Sequence, residues 1–193
     1  MENPIIQVRE IVAEDTIGEP VSFSQNRITD IFSKSFKSVF KNNQKLSHCF
    51  FSLCKKLNKY FSISRAVLVV YSESDDSLKV IALKCSHNSR EGLTLTLPKN
   101  NSLFYKVFQD GKIFIKDYFD NSIGNFIERK LLGHDECGSL AICPVIFKEK
   151  TIGLLCLASP ALYAFEILAQ GIFDSVLINL GQLVNAERFK ISH

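Results

Sequence analysis

The 193-residue sequence has no tryptophan, no CxxC pair and no charge-free apolar run long enough to cross a bilayer. Without tryptophan, sixteen phenylalanines supply most of the aromatic surface, which predicts a core, and any pocket in it, lined by plain rings. The six cysteines, at 49, 54, 85, 137, 143 and 156, are scattered. That excludes a dense disulfide framework or a paired-thiol zinc site, and they read as reduced thiols behaving as small apolar side chains. Also missing are GxGxxG, the P-loop, HExxH and GxSxG, so nucleotide hydrolysis and serine or zinc hydrolysis have no basis. The opening MENPIIQVREIVAEDT carries acids and lacks the basic-then-apolar order of a secretory signal. A cytoplasmic protein is expected.

Residues 139–159, SLAICPVIFKEKTIGLLCLAS, come nearest to a membrane span. Lys148, Glu149 and Lys150 would then sit near the bilayer centre, where each basic residue costs on the order of 2.5–3.5 kcal/mol. Pro144 and Gly153 also weaken a single helix. A β-hairpin removes every objection, with strands at 140–147 and 151–158 and the charged triplet in a solvent-exposed turn. Both runs are apolar with almost no alternation, so both faces of these strands must be covered.

What charge there is lies unevenly. Residues 27–60 hold eight lysines or arginines against one acid, Asp30, inside a chain whose total is +3. Part of this block is an amphipathic helix over 26–43. Ile28, Ile31, Phe32, Phe36, Val39 and Phe40 recur at helical spacing, and Lys34, Lys37, Lys41 and Lys45 gather opposite. Its lysine face reads as solvated. Membrane-surface contact through 27–45 is the sharper alternative. Nucleic acid is a poor fit, because four lysines can touch phosphates but no helix-turn-helix pattern supplies base contacts.

Three segments follow from these patterns: an N-terminal arm at 1–25, the basic helix at 26–43 and one domain at 44–190. Within the domain the expected order is a helix at 44–60, strands at 64–71 and 78–85, a loop at 86–92 and a strand at 93–97. A helix follows from Asn101 or Ser102 to Gln109, then a strand at 112–116, a helix at 126–132, the hairpin, and a long helix at 164–190. About six mostly antiparallel strands flanked by helices make an α+β layered fold. The terminal helices can cover one face and the middle helices the other.

Residues 102–118, SLFYKVFQDGKIFIKDY, resemble the helix, glycine turn and Asp-ended strand of the GAF domain, a small-molecule sensor module. The hairpin resembles the family's hallmark, with Ser139 opening the strand, Pro144 within it and Ile152, Gly153 and Leu154 on the return. Residues 164–187, AFEILAQGIFDSVLINLGQLVNAE, resemble its closing helix. The resemblance implies a GAF-like central antiparallel sheet with helices on both faces and long N- and C-terminal helices packed together. It also implies a ligand cup between the sheet and the middle helices, and a homodimer formed through the terminal helices. It does not supply the ligand or any cofactor.

Subfamily marks narrow this. The cyclic-nucleotide signature has no clear counterpart, and Glu128 and Arg129 stand near where a bilin-attaching Cys-His pair would be expected. The motif GHDECG at 133–138 places His134 and Cys137 three apart, on one side of a helical turn. His134 could ligate haem, as in some GAF domains, and Cys137 could stand for one thiol of the free-methionine-sulfoxide reductases. No cysteine within 100–117 matches their others. The plainer reading is a polar loop after Gly133, and Asp117 reads as support for a strand end. The expected pocket wall is Phe104, Phe108, Tyr118, Phe126, His134 and Cys137. The expected dimer helices carry Ile28, Phe32, Val39, Phe165, Ile172, Val176 and Leu180. The expectation is a non-enzymatic sensory module in signal transduction, read by a downstream protein partner. A thiol reductase, or an interaction scaffold with a vestigial pocket, is the alternative.

Overall fold

A computed structural model describes residues 34–40, 45–85, 88–120, 122–166, 168 and 171–191. Its centre is a six-stranded antiparallel sheet: β1 (Arg65–Ser72), β2 (Ser77–Cys85), β3 (Ser89–Thr96), β4 (Phe114–Lys116), β5 (Ser139–Phe147) and β6 (Lys150–Ser159), in the order β3-β2-β1-β6-β5-β4. The helices are α1 (Leu46–Phe61), α2 (Leu103–Asp110), α3 (Phe126–Leu132) and α4 (Asp174–Ile191), with a short 3-10 turn at Lys37–Phe40 and another at His134–Glu136. Side chains alternate along β1, and this sorts the core into two layers. On β1, Ala66 and Leu68 join Phe50, Leu53 and Leu57 of α1 and Val176, Leu180 and Val184 of α4. Val67 and Val69 point the other way, to Phe104 and Val107 of α2 and Leu131 and Leu132 of α3. Both faces of the hairpin strands are therefore buried, as their continuous apolar runs require.

The hairpin turns at Lys148 and Glu149, which have φ of 48° and 64°. Positive φ at both central residues is the two-residue turn whose twist matches that of its strands. Between Val145 and Ile146 the register slips, leaving Ile152 as a bulge beside Gly153. A Cβ on Gly153 would lie 2.4 Å from the Val69 carbonyl oxygen, so only glycine lets β6 approach β1 there. Ser139 and Ser159 are fully buried and hold the chain that leaves β6. The Ser139 hydroxyl donates to the Ala161 carbonyl at 2.7 Å and accepts from the Ala164 amide at 3.3 Å.

Three expectations shift. The closing helix begins at Asp174, ten residues later than its apolar stripe suggests, and Tyr163 and Gly171 in the stretch before it have φ of 58° and 73°. Phe165, Leu168 and Ile172 are nevertheless buried, Phe165 and Ile172 from turns and Leu168 from a 3-10 conformation rather than from an α-helix. Strand β3 takes in the expected loop residues Ser89–Gly92, of which Ser89, Arg90 and Glu91 pair with β2 although almost every β3 side chain is exposed. Strand β4 is shorter than expected. Of the expected basic helix, only residues 34–40 are described. There Lys34 and Lys37 face solvent, while Phe36 and Val39 enter the α1–α4 layer, so this segment shares the domain's core. The arm at 1–25, Ile28 and Phe32 lie outside the described residues. No helix among the described residues is long and apolar enough to cross a membrane.

Candidate functional site

The layer between the sheet and the middle helices is where the expected cup should be. Helix α2 starts at Ser102, whose hydroxyl caps the Tyr105 amide at 3.0 Å. Helix α3 starts at Asn125 with a reciprocal capping box: the Asn125 side chain accepts from the Glu128 amide, and Glu128 accepts from the Asn125 amide, each at 3.0 Å. Glu128 does more than cap its own helix. Its carboxylate is 1% exposed and also accepts from the Leu103 and Phe104 amides at 3.0 Å and from the Ser102 hydroxyl. One buried anion thus joins the N-termini of both middle helices, satisfying amides that their own helices leave unpaired. Gly124 makes room for it, since a Cβ there would sit 2.5 Å from Glu128 Oε2. At the other end of α3, the Arg65 guanidinium donates to the Lys130 carbonyl at 3.2 Å. There a cation faces the negative end of the helix.

Beneath the helices lies a closely packed apolar cluster, with Phe104 fully buried and the Tyr105 hydroxyl accepting from the Leu78 amide at 2.8 Å. Around its edge the covering is incomplete. Tyr71, Phe108, Phe114, Phe119, Ile123 and Ile127 are only partly buried against it, and the Tyr71 and Phe108 rings lie 4.9 Å apart. Phe119 and Ile123 belong to the irregular connection between β4 and α3. A separate depression of about 490 Å³ opens over the α2 N-terminus, walled by polar residues including Lys99, Asn101, Ser102 and Lys106.

Of the six expected pocket residues, Phe104, Phe108 and Cys137 join this layer. Tyr118 and Phe126 do not, being 56% and 61% exposed. Phe126 is carried to solvent because the buried face of α3 is set by Glu128, Leu131 and Leu132, on the opposite side of the helical wheel. Tyr118 lies past the end of β4 with the Lys116 ammonium 4.5 Å from its ring centroid. His134 has its backbone in the 3-10 turn, and its side chain lies outside what is described. Apart from Phe108, the rim residues and the Glu128 clamp escaped the sequence reading, although Asn-x-x-Glu at 125–128 is a recognisable capping signal. The expected dimer residues Val39, Phe165, Ile172, Val176 and Leu180 are all buried in the chain's own core. Among the described side chains of α4, the large apolar one exposed to solvent is Ile178, at 55%.

Thiol chemistry is poorly served. The Cys137 thiol donates to the Ser139 carbonyl at 3.2 Å, and burial pushes it up to about 11. Burial raises Cys143 to about 12 and Cys156 well above the ordinary thiol value. A nucleophilic cysteine needs the opposite shift and access to solvent. All six thiols are free. Among the described residues no group of three or more His, Cys, Asp or Glu side chains is placed to hold a metal ion.

Comparison with solved structures identifies the architecture. Free methionine-R-sulfoxide reductase from Neisseria meningitidis superposes with a TM-score of 0.64 at 12% identity, covering 91% of this chain and 98% of that one. The GAF domain of a Coxiella burnetii phosphoenolpyruvate-protein phosphotransferase gives 0.63 at 12% identity, over 86% and 97%. Its Acinetobacter counterpart gives 0.62 at 12%, over the same shares. Neither a family model nor a curated protein matches the sequence. At such identities the likeness is one of fold: a GAF-like α+β sandwich.

Proposed function

We propose that this chain is a non-enzymatic sensory module that binds a small, largely apolar ligand between the sheet and the middle helices. The observation that carries the reading is the half-covered apolar rim around a layer whose helices are clamped at one point. Glu128 fixes the helix N-termini, and the β4–α3 connection bearing Phe119 and Ile123 is the irregular part that can open. A ligand that covers the rim favours one position of this connection and shifts the population accordingly. The sheet is a single layer between this site and α1 and α4, so a change on one face reaches the helices on the other. We further propose a cytoplasmic homodimer read by a protein partner through those helices, with the six free thiols fitting a reducing compartment.

The enzyme alternative, a thiol-dependent sulfoxide reductase, would have to work with a Cys137 thiol that is buried and held protonated. Native mass spectrometry of freshly purified protein, followed by thermal shift against a panel of small aromatic and aliphatic compounds, tests the sensor. A retained mass, or a Tm rise that Phe119→Ala removes, is expected. Turnover of free methionine sulfoxide that is lost in Cys137→Ser would overturn it in favour of the enzyme.

A further inference from the structure

On the far side of the sheet, α1 presents Ser52, Lys55, Lys56 and Lys59 at positions i, i+3, i+4 and i+7, a single stripe along the helix. The stripe faces Ser38 and Val39 of the preceding 3-10 turn across a groove of about 330 Å³. Lys56 is fixed within it: its ammonium donates to the Ser35 carbonyl and, at 2.9 Å, to the Ser38 hydroxyl, and it lies 5.5 Å from the Phe36 ring centroid. No Asp or Glu occurs anywhere in 31–72, and among the described residues no carboxylate forms an ion pair with any of the three lysines. Burial and the neighbouring Lys59 both disfavour the charged form of Lys56, the condition of a cation cluster without a counter-ion.

We propose that this groove is a binding site for the phosphate group of a small phosphorylated molecule, held by the Lys55, Lys56 and Lys59 ammoniums and the Ser38 and Ser52 hydroxyls. Hydroxyl and ammonium donors converging from two elements suit a compact, multiply charged oxyanion. The volume lies at the lower end of the roughly 300–1,000 Å³ usual for small-ligand sites. A nucleic-acid duplex would need roughly 600 Å² or more of protein surface even for a single module. Insertion into a bilayer is unavailable to α1, because its apolar face, from Leu46 to Phe61, is already buried in the core.

The test is calorimetric titration of the full chain with pyrophosphate at low ionic strength. Saturable one-to-one binding is expected, weakened about 100-fold in the Lys55→Gln/Lys59→Gln double variant, about tenfold for each ammonium removed. Both lysines are exposed, so this variant should melt with the wild type. Lys148→Gln/Lys150→Gln, which removes equal charge at the β5–β6 turn, should bind as wild type does. No saturable binding, or equal loss in the two double variants, overturns the proposal. So does selective binding of single-stranded DNA or phosphatidylserine vesicles in place of pyrophosphate. None of these outcomes bears on the ligand layer, which lies across the sheet.

Discussion

Replacing Glu128 by Gln changes one atom and tests how the middle layer is built. In the wild type, Oε1 accepts from the Ser102 hydroxyl and the Phe104 amide, and Oε2 accepts from the Leu103 and Asn125 amides. An amide group must aim its NH₂ at one of these pairs, so donor meets donor, and the remaining bonds lose their charge assistance. Hydrogen bonds to a charged group are each worth about 1.5–3 kcal/mol, so losing two costs about 3–6 kcal/mol. For a chain of this length each kcal/mol lowers Tm by about 2–4 °C, so a fall of about 6–24 °C is expected. Urea denaturation should show a lower midpoint with an unchanged slope, and hydrogen exchange should speed up first at Leu103, Phe104 and Asn125. Glu128→Gln within 1 kcal/mol of wild type, with those amides still protected, would refute the clamp.

Other consequences can be checked in parallel. Gly153→Ala should destabilise by about 2–3 kcal/mol in chemical denaturation, because its Cβ would press on the Val69 carbonyl. Cys143 is fully buried with its thiol raised to about 12, so the unfolded chain ionises there first. Its contribution is therefore undiminished below the unfolded thiol value of about 8.5 and is lost as pH rises towards 12, by about 2–3 kcal/mol at pH 10.5. Cys143→Ala should flatten the alkaline limb of the stability curve by that amount. In the native state a disulfide reagent should react promptly with about one thiol per chain, and Cys85→Ser should abolish this, because the other five thiols are buried.

The sequence reading succeeded where burial and hydrogen-bonding pattern coincide. The hairpin with its charged turn, the β1–β2 pair and α3 with its terminal Gly133 all stand where pattern and turn chemistry put them. It failed where the two part company. Phe165, Leu168 and Ile172 have helical spacing, but that spacing reports which side chains are buried, and here turns and a 3-10 conformation bury them. Residues 89–91 look like loop because an edge strand has no apolar face to display, yet their backbone pairs with β2. The bulge at Ile152 was equally hidden, since it depends on how β5 and β6 pair. In the site, Phe126 and Tyr118 were expected at the cup that the family resemblance implies, whereas Glu128 acts through two backbone amides 24 and 25 residues away. Such contacts leave no local trace.

The central claim, a ligand layer opened through the β4–α3 connection, is tested most directly by methyl-resolved NMR during titration with a ligand found by native mass spectrometry. The account predicts shifts at Ile123 and Ile127, with Leu53 and Leu57 of α1 unmoved by direct contact. Shifts confined to α1 and α4, with Ile123 and Ile127 unchanged at saturation, would contradict it.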